Sequence, residues 1–82
     1  MRIHILRNTL DFNRVVLVPV RSYPNAVERN RARRLVRECW RKGKNGLNPG
    51  HDVAVVIYPG FDHLDDRKAQ LERLLRLAGL FT

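Results

Sequence analysis

Residues 25–42 read NAVERNRARRLVRECWRK, with seven basic side chains against two acids. Within this stretch Ala32, Leu35, Val36, Cys39 and Trp40 recur at i, i+3, i+4, i+7 and i+8, which is one apolar face of a helix. Each residue advances by about 100°, so all five lie within roughly 80° of Ala32. Asn30, Arg31, Arg33, Arg34, Arg37 and Arg41 fill the opposite arc, and Arg29 falls on the boundary near Trp40. Asn25 is a good N-cap, with Glu28 three residues on to complete a reciprocal capping arrangement. Gly43 and Gly46 supply the stop.

Like charges at i,i+4, such as Arg29 with Arg33 and Arg33 with Arg37, destabilise an isolated helix by a few tenths of a kcal/mol each. A helix built this way suggests an external anion on its outer face. Phosphate fits, because guanidinium groups present planar, paired donors that match its oxygens. Asn30 can both donate and accept, and suits a ribose or a base edge. The helix N-terminus at residues 25–27 adds free backbone amides beside Arg29. A basic face that merely stands in solvent is the alternative, although such faces usually mix signs.

The stretches before and after the helix suggest a sheet. In residues 2–7, Ile3 and Ile5 alternate with Arg2, His4 and Leu6 in the manner of a strand. Residues 8–11 read as a turn. Residues 14–20 (RVVLVPV) are β-branched, and Pro19, which lacks an N–H, suits an edge strand. Residues 2–7 and 13–20 are expected to form a hairpin. Asn48-Pro49-Gly50 marks a turn. Residues 52–58 (DVAVVIY) are apolar at successive positions, as in a strand covered on both faces. A last helix follows, capped by Asp62, with Asp65 and Asp66 in its first turn. Leu64, Leu71, Leu74, Leu75 and Ala78 form its core stripe, and Gly79 suits its end. The expected order is β-β-α-β-α, in one α/β (α+β) two-layer sandwich without an internal boundary.

Eighty-two residues with 44% apolar content allow one small core. A formal charge of +8 favours a polyanionic partner. It is unevenly placed: residues 25–44 carry eight basic side chains, whereas residues 45–66 carry four Asp and no Lys or Arg. A single cysteine, Cys39, excludes an internal disulfide and a Cys-rich zinc site. No apolar run approaches the length of a membrane span. The opening residues, interrupted by Arg2 and His4, lack the pattern of a signal peptide, so a cytoplasmic protein with no membrane partner is expected.

The run Asn25-Ala26-Val27-x-Arg29-Asn30-Arg31-x-Arg33-Arg34-x-x-Arg37-Glu38 resembles the signature helix of the bacterial ribonuclease P protein subunit, roughly G-N-A-V-x-R-N-R-x-K-R-x-x-R-E. Phe12-Asn13-Arg14-Val15-Val16 looks like the strand before that helix. Pro49-Gly50-x-Asp52-Val53-x-Val55 looks like the family's P-x-G-x-D-x-V strand opening, and Leu71-x-x-Leu74-Leu75-x-x-Ala78-Gly79-Leu80 like its terminal helix. The likeness runs over residues 12–80, and its helix motif is the specific part. Pro24 stands where the family usually has Gly, and Arg21 and Ser22 replace a common Lys-Lys pair. Residues 1–82 look like a single domain of this family without its usual N-terminal helix and first strand.

The resemblance implies a ribosomal-protein-S5-domain-2-like sandwich with a left-handed βαβ crossover. It implies the protein subunit of ribonuclease P, a tRNA 5′-maturation endoribonuclease. The partners would be ribonuclease P RNA and precursor tRNA, whose 5′ leader is removed. The RNA and its Mg2+ would perform the hydrolysis, with no cofactor, metal or catalytic residue on this chain. Arg29, Asn30, Arg31, Arg33, Arg34 and Arg37 inherit the RNA-contact role, with Arg41 on the same face and Asn25 and Arg21 flanking it. The family's leader cleft draws on the N-terminal helix and the sheet face, so the resemblance does not carry leader binding over to residues that lack that helix. An uncovered sheet edge invites pairing with another chain, so homodimerisation or strand exchange stays open.

Two other function classes remain. One is a structural RNA binder of another ribonucleoprotein, with no role in cleavage. The other is a metal-dependent nuclease, for which Asp52, Asp62, Asp65 and Asp66 show no convergent set. His4, His51 and His63 lack metal-ligand spacing and are expected at the surface. Cys39 is expected as a buried, inert thiol, and Trp40, at i+4 from Val36, as core, with a base-stacking platform as its alternative. Tyr23, just before the helix, is a candidate for exposure, with an RNA contact there as the less favoured reading.

Overall fold

The computed structural model describes residues 1–60 and 63–81. Its elements follow the expected order: β1 (Arg2–Arg7), β2 (Arg14–Pro19), α1 (Ala26–Gly43), β3 (His51–Ile57) and α2 (Leu64–Leu77). The strand order is β1-β3-β2, with β1 antiparallel and β2 parallel to β3. β2, α1 and β3 thus form a parallel βαβ unit. Both helices lie on one face of the sheet, α1 over β2 and α2 over β1, and they pack on each other.

The expected hairpin of residues 2–7 and 13–20 does not form, because β3 lies between the two strands. Arg7 is paired with His51 and Arg14 with Asp52, so residues 8–13 straddle the start of β3. Two asparagines fasten this bridge. Asn8 donates its backbone N–H to the Gly50 carbonyl at 2.8 Å and its side-chain amide to Asp52 at 2.9 Å. Asn13 accepts from the His51 N–H at 2.9 Å and donates to the Asn48 carbonyl at 3.0 Å. Six residues reach easily across two strand spacings, about 10 Å, so sequence proximity did not decide the pairing.

β3 is central, yet only one of its faces is covered, which corrects the expectation of a strand buried on both sides. Val53, Val55 and Ile57 are at most 1% exposed, whereas Ala54 and Val56 are half-buried. On the helix side Ile3 and Ile5 of β1 and Val15 and Leu17 of β2 flank Val53 and Val55. On the other side the rows Leu6–Asp52–Arg14, His4–Ala54–Val16 and Arg2–Val56–Val18 face outward. Pro19 sits on an edge strand as its chemistry requires. The following Val20 N–H donates to Ile57 at 3.0 Å, so alternation turns the proline nitrogen away from β3.

The core joins these strands to Ala32, Val36, Cys39 and Trp40 of α1 and to Leu71 and Leu75 of α2. Leu35 and Leu74, expected in the core stripes, are half-buried at their margins. Ala78 is not part of the stripe: it is the exposed C-cap of α2. Gly79 (φ +76) follows it in a Schellman arrangement, with the Gly79 N–H on Arg76 at 3.0 Å and the Leu80 N–H on Leu75 at 3.1 Å. The buried Leu80 then closes this end of the core. At the other end, His63 is the N-cap of α2 and makes no side-chain capping bond. The cap assigned to Asp62 lies outside the described residues.

Candidate RNA-binding face

Helix α1 starts as its sequence dictates. Asn25 has extended backbone angles and accepts the Glu28 N–H at 2.9 Å. Among the described residues the Glu28 side chain makes no return bond, so half of the capping arrangement forms. The apolar seam presses onto the sheet, and this orients the opposite face toward water. Asn30, Arg31, Arg34, Arg37 and Arg41 are exposed there, Arg29 and Arg33 are half-buried, and Asn25 and Arg21 are exposed beside the first turn.

The arginines of this face divide by what holds them. Arg41 is clamped by Glu38, with Nη2 to Oε1 at 2.5 Å and Nε to Oε2 at 3.0 Å. Lys42 approaches the same carboxylate at 3.8 Å. The hydrogen bond from Arg41 holds the Glu38 carboxyl below its ordinary value and raises Arg41 in turn. Arg33 donates to the Asn30 side-chain oxygen at 2.8 Å, and Arg29 to the Tyr23 carbonyl at 3.4 Å. Neither of those contacts neutralises charge. Arg31, Arg34 and Arg37 have no carboxylate partner among the described residues. A run of cations remains, held at helical spacing and unneutralised except at its C-terminal end. Such a surface can grip a polyanion through several phosphates at once.

The aromatic residues distribute differently from expectation at one position. Trp40 is core at 7% exposure, as its spacing indicated. Tyr23, a candidate for exposure, is buried, at 4% exposure. Its hydroxyl donates to the Tyr58 carbonyl at 3.1 Å, which draws the ring inward and removes it as a stacking platform. Cys39 is buried with its Sγ 3.7 Å from the Leu64 carbonyl, and burial pushes the thiol up, as suits an inert core residue.

The described histidines and acids outside α1 do not converge on one point. His4 is exposed on the open sheet face, His63 is exposed at the start of α2, and the half-buried His51 has Nδ1 3.3 Å from the Asn48 carbonyl. Among the described residues no group of three His, Cys, Asp or Glu is placed to hold a metal ion. Asp52 is engaged by Arg14 at 2.7 and 2.8 Å and by Asn8, and these hydrogen bonds lower its carboxyl to about 2. It rims a cavity of about 310 Å³ on the open sheet face, lined also by His4, Leu6, Arg14, Val16 and Ala54. No described helix is long and apolar enough to cross a membrane.

One charged residue was missed. Arg67 of α2 is 2% exposed. It donates to the Tyr58 carbonyl at 2.6 Å, to Gln70 at 3.0 Å and to the Tyr23 hydroxyl at 3.4 Å. The signal for it is its place between Leu64 and Leu71 at spacings of three and four, on the apolar stripe rather than opposite it.

Several known proteins share this sequence pattern or this fold. The ribonuclease P protein component of Natranaerobius thermophilus is 35% identical over 68 residues, which are 83% of this chain and 59% of that protein. The ribonuclease P protein of Staphylococcus aureus superposes with a TM-score of 0.81 at 23% identity, over 98% of this chain and 75% of that one. The Thermotoga maritima ribonuclease P protein superposes with a TM-score of 0.69 at 26% identity, over 95% and 72% of the two chains. The chain spans between half and three fifths of the length of the first curated relatives it matches. The family model described as Ribonuclease P matches residues 1–79, and the chain belongs to that family.

Proposed function

We propose that this chain is the RNA-binding protein component of ribonuclease P, and that it docks on the catalytic RNA through the outer face of α1. The observation that carries this reading is the set Arg31, Arg34 and Arg37: exposed, evenly spaced and without a carboxylate partner among the described residues. Arg29, Asn30 and Arg33 extend the contact toward the helix N-terminus, with Asn25 and Arg21 beside it. Arg41 joins after exchanging Glu38 for phosphate. The protein then assists removal of the 5′ leader from precursor tRNA, while hydrolysis is carried out by RNA-held Mg2+.

Five to seven phosphate contacts correspond to a log–log salt slope of about −4 to −6. Replacing Arg31 and Arg34 together by alanine is expected to flatten that slope by about 1.5–2 while leaving the fold intact. An unchanged slope removes the α1 face from the interface. Cleavage of precursor tRNA by a bacterial ribonuclease P RNA, with and without the protein, checks the assisting role. Stimulation at low Mg2+ is expected. RNA binding without any stimulation favours a structural binder, and cleavage by the protein alone favours a nuclease.

A further inference from the structure

The first turn of α1 is tied to the core by a path that starts on α2. Residues 20–25 connect β2 to α1 and would otherwise be a loose joint. They are secured at both ends of Tyr23. Its N–H reaches the Val20 carbonyl at 3.3 Å, and Val20 itself is joined to Ile57. Its hydroxyl donates to the Tyr58 carbonyl at 3.1 Å. Arg67 donates to that same carbonyl at 2.6 Å and to the Tyr23 hydroxyl at 3.4 Å, while Gln70 steadies the guanidinium at 3.0 Å. A carbonyl oxygen has two lone pairs and can accept both donors. At the other side of the peptide, the Tyr23 carbonyl accepts from Arg29 at 3.4 Å. Two residues later Asn25 caps the helix.

We infer that Tyr23 and Arg67 are positioning residues of the RNA-binding face: through the Tyr58 carbonyl they fix the peptide that orients Arg29 and the first turn of α1. Neither touches RNA, since both are buried. Their effect is to hold one guanidinium in place before binding. A side chain already ordered loses less freedom when it meets phosphate, which raises affinity. The inference rests on the proposed docking of α1 on RNA.

The test is Tyr23→Phe, which keeps the ring and deletes the hydroxyl. The change removes the bond to the Tyr58 carbonyl and the one from Arg67; leaving the Arg29 side chain to be ordered on binding corresponds to about a threefold to tenfold loss of affinity for a ribonuclease P RNA transcript. Positioning through Arg29 has a signature that general loosening lacks: in an Arg29→Ala background the same change is expected to do almost nothing, a coupling that a double-mutant cycle reads directly. Exchange of the Glu28 and Arg29 amide hydrogens, measured without RNA, is expected to quicken in Tyr23→Phe, while the amides of Val53 and Val55 stay protected. Arg67→Lys, which keeps one donor for the Tyr58 carbonyl, is expected to lie between wild type and Tyr23→Phe. Unchanged exchange at residues 28 and 29 overturns the positioning role whatever the RNA shows. An equal affinity loss with and without Arg29 overturns the route through that side chain. Affinity unmoved by the Arg31 and Arg34 double substitution overturns the parent reading instead, and this inference falls with it.

Discussion

The outer face of α1 and the buried side of α2 use arginine in opposite ways. Arg31, Arg34 and Arg37 of α1 stand in water, whereas Arg67 of α2 is 2% exposed and directs its donors at Tyr58, Gln70 and Tyr23. The side chains are identical; their surroundings differ. A guanidinium in solvent contributes little to folding and keeps its donors available. One inside the protein must have its donors satisfied, and it then becomes a structural part whose removal leaves other polar groups stranded. The difference teaches where to look for function: in the charges the fold does not use.

The largest expected effect tests the buried end of this contrast. Arg67→Ala should lower the unfolding free energy by about 2–4 kcal/mol, since it removes one of the two donors on the Tyr58 carbonyl, leaves the Tyr23 hydroxyl without its donor from Arg67 and opens a cavity. Arg31→Ala should stay within about 0.5 kcal/mol of wild type. Urea unfolding of both variants gives the comparison, and equal destabilisation would erase it.

A smaller effect sharpens the contrast within α1. Arg41 shares its charge with Glu38, and Arg34 does not. Removing Arg34 should therefore weaken RNA binding more than removing Arg41, by about fivefold against twofold at low salt. Glu38→Gln should free Arg41 and tighten binding about twofold, with little change in stability because the ion pair is exposed. Titrations with labelled RNA at two salt concentrations decide this. Weaker binding by Glu38→Gln would mean that the pair orders Arg41 for RNA rather than competing with it.

Local features were legible in the sequence and distant ones were not. The cap at Asn25, the seam from Ala32 to Trp40 and the cationic arc opposite are set within a few residues, so periodicity exposed them. The pairing of β1 with β3 rather than β2 depends on Asn8 and Asn13 reaching residues 48–52, across some forty positions of chain. Tyr23 looked free because its partners, Tyr58 and Arg67, are 35 and 44 residues away. The apolar run of β3 suggested two covered faces because a central strand and a doubly buried one share that composition. For the RNA face, exposure followed from the helical wheel. The clamp on Arg41 was within reach of the sequence, since Glu38 is three residues before it, but the Arg29 contact to a backbone carbonyl carries no side-chain signature.

Arg14 stands between the two extremes, and it sets the smallest expected effect. Its side chain is 58% exposed, like the free arginines, yet it grips Asp52 with two donors as Arg67 grips its own partners. Those bonds, with the one from Asn8, lower the Asp52 carboxyl from 3.8 to about 2. A carboxyl lowered on folding stabilises the protein above its unfolded value, and the contribution disappears as pH falls through the folded one. Asp52 should thus support the fold fully above about pH 4, progressively less down to about pH 2, and not at all below. The exposure of the pair keeps this support small. In Arg14→Ala the main cause is gone, so the Asp52 carboxyl followed by NMR should titrate closer to 3.8. The decline of stability between pH 4 and 2 should become shallower in step. A midpoint unmoved by that substitution would assign the lowering to Asn8 and to the bridge over β3. Arg14 would then belong with the free cations of α1, on the open sheet face rather than on the helix.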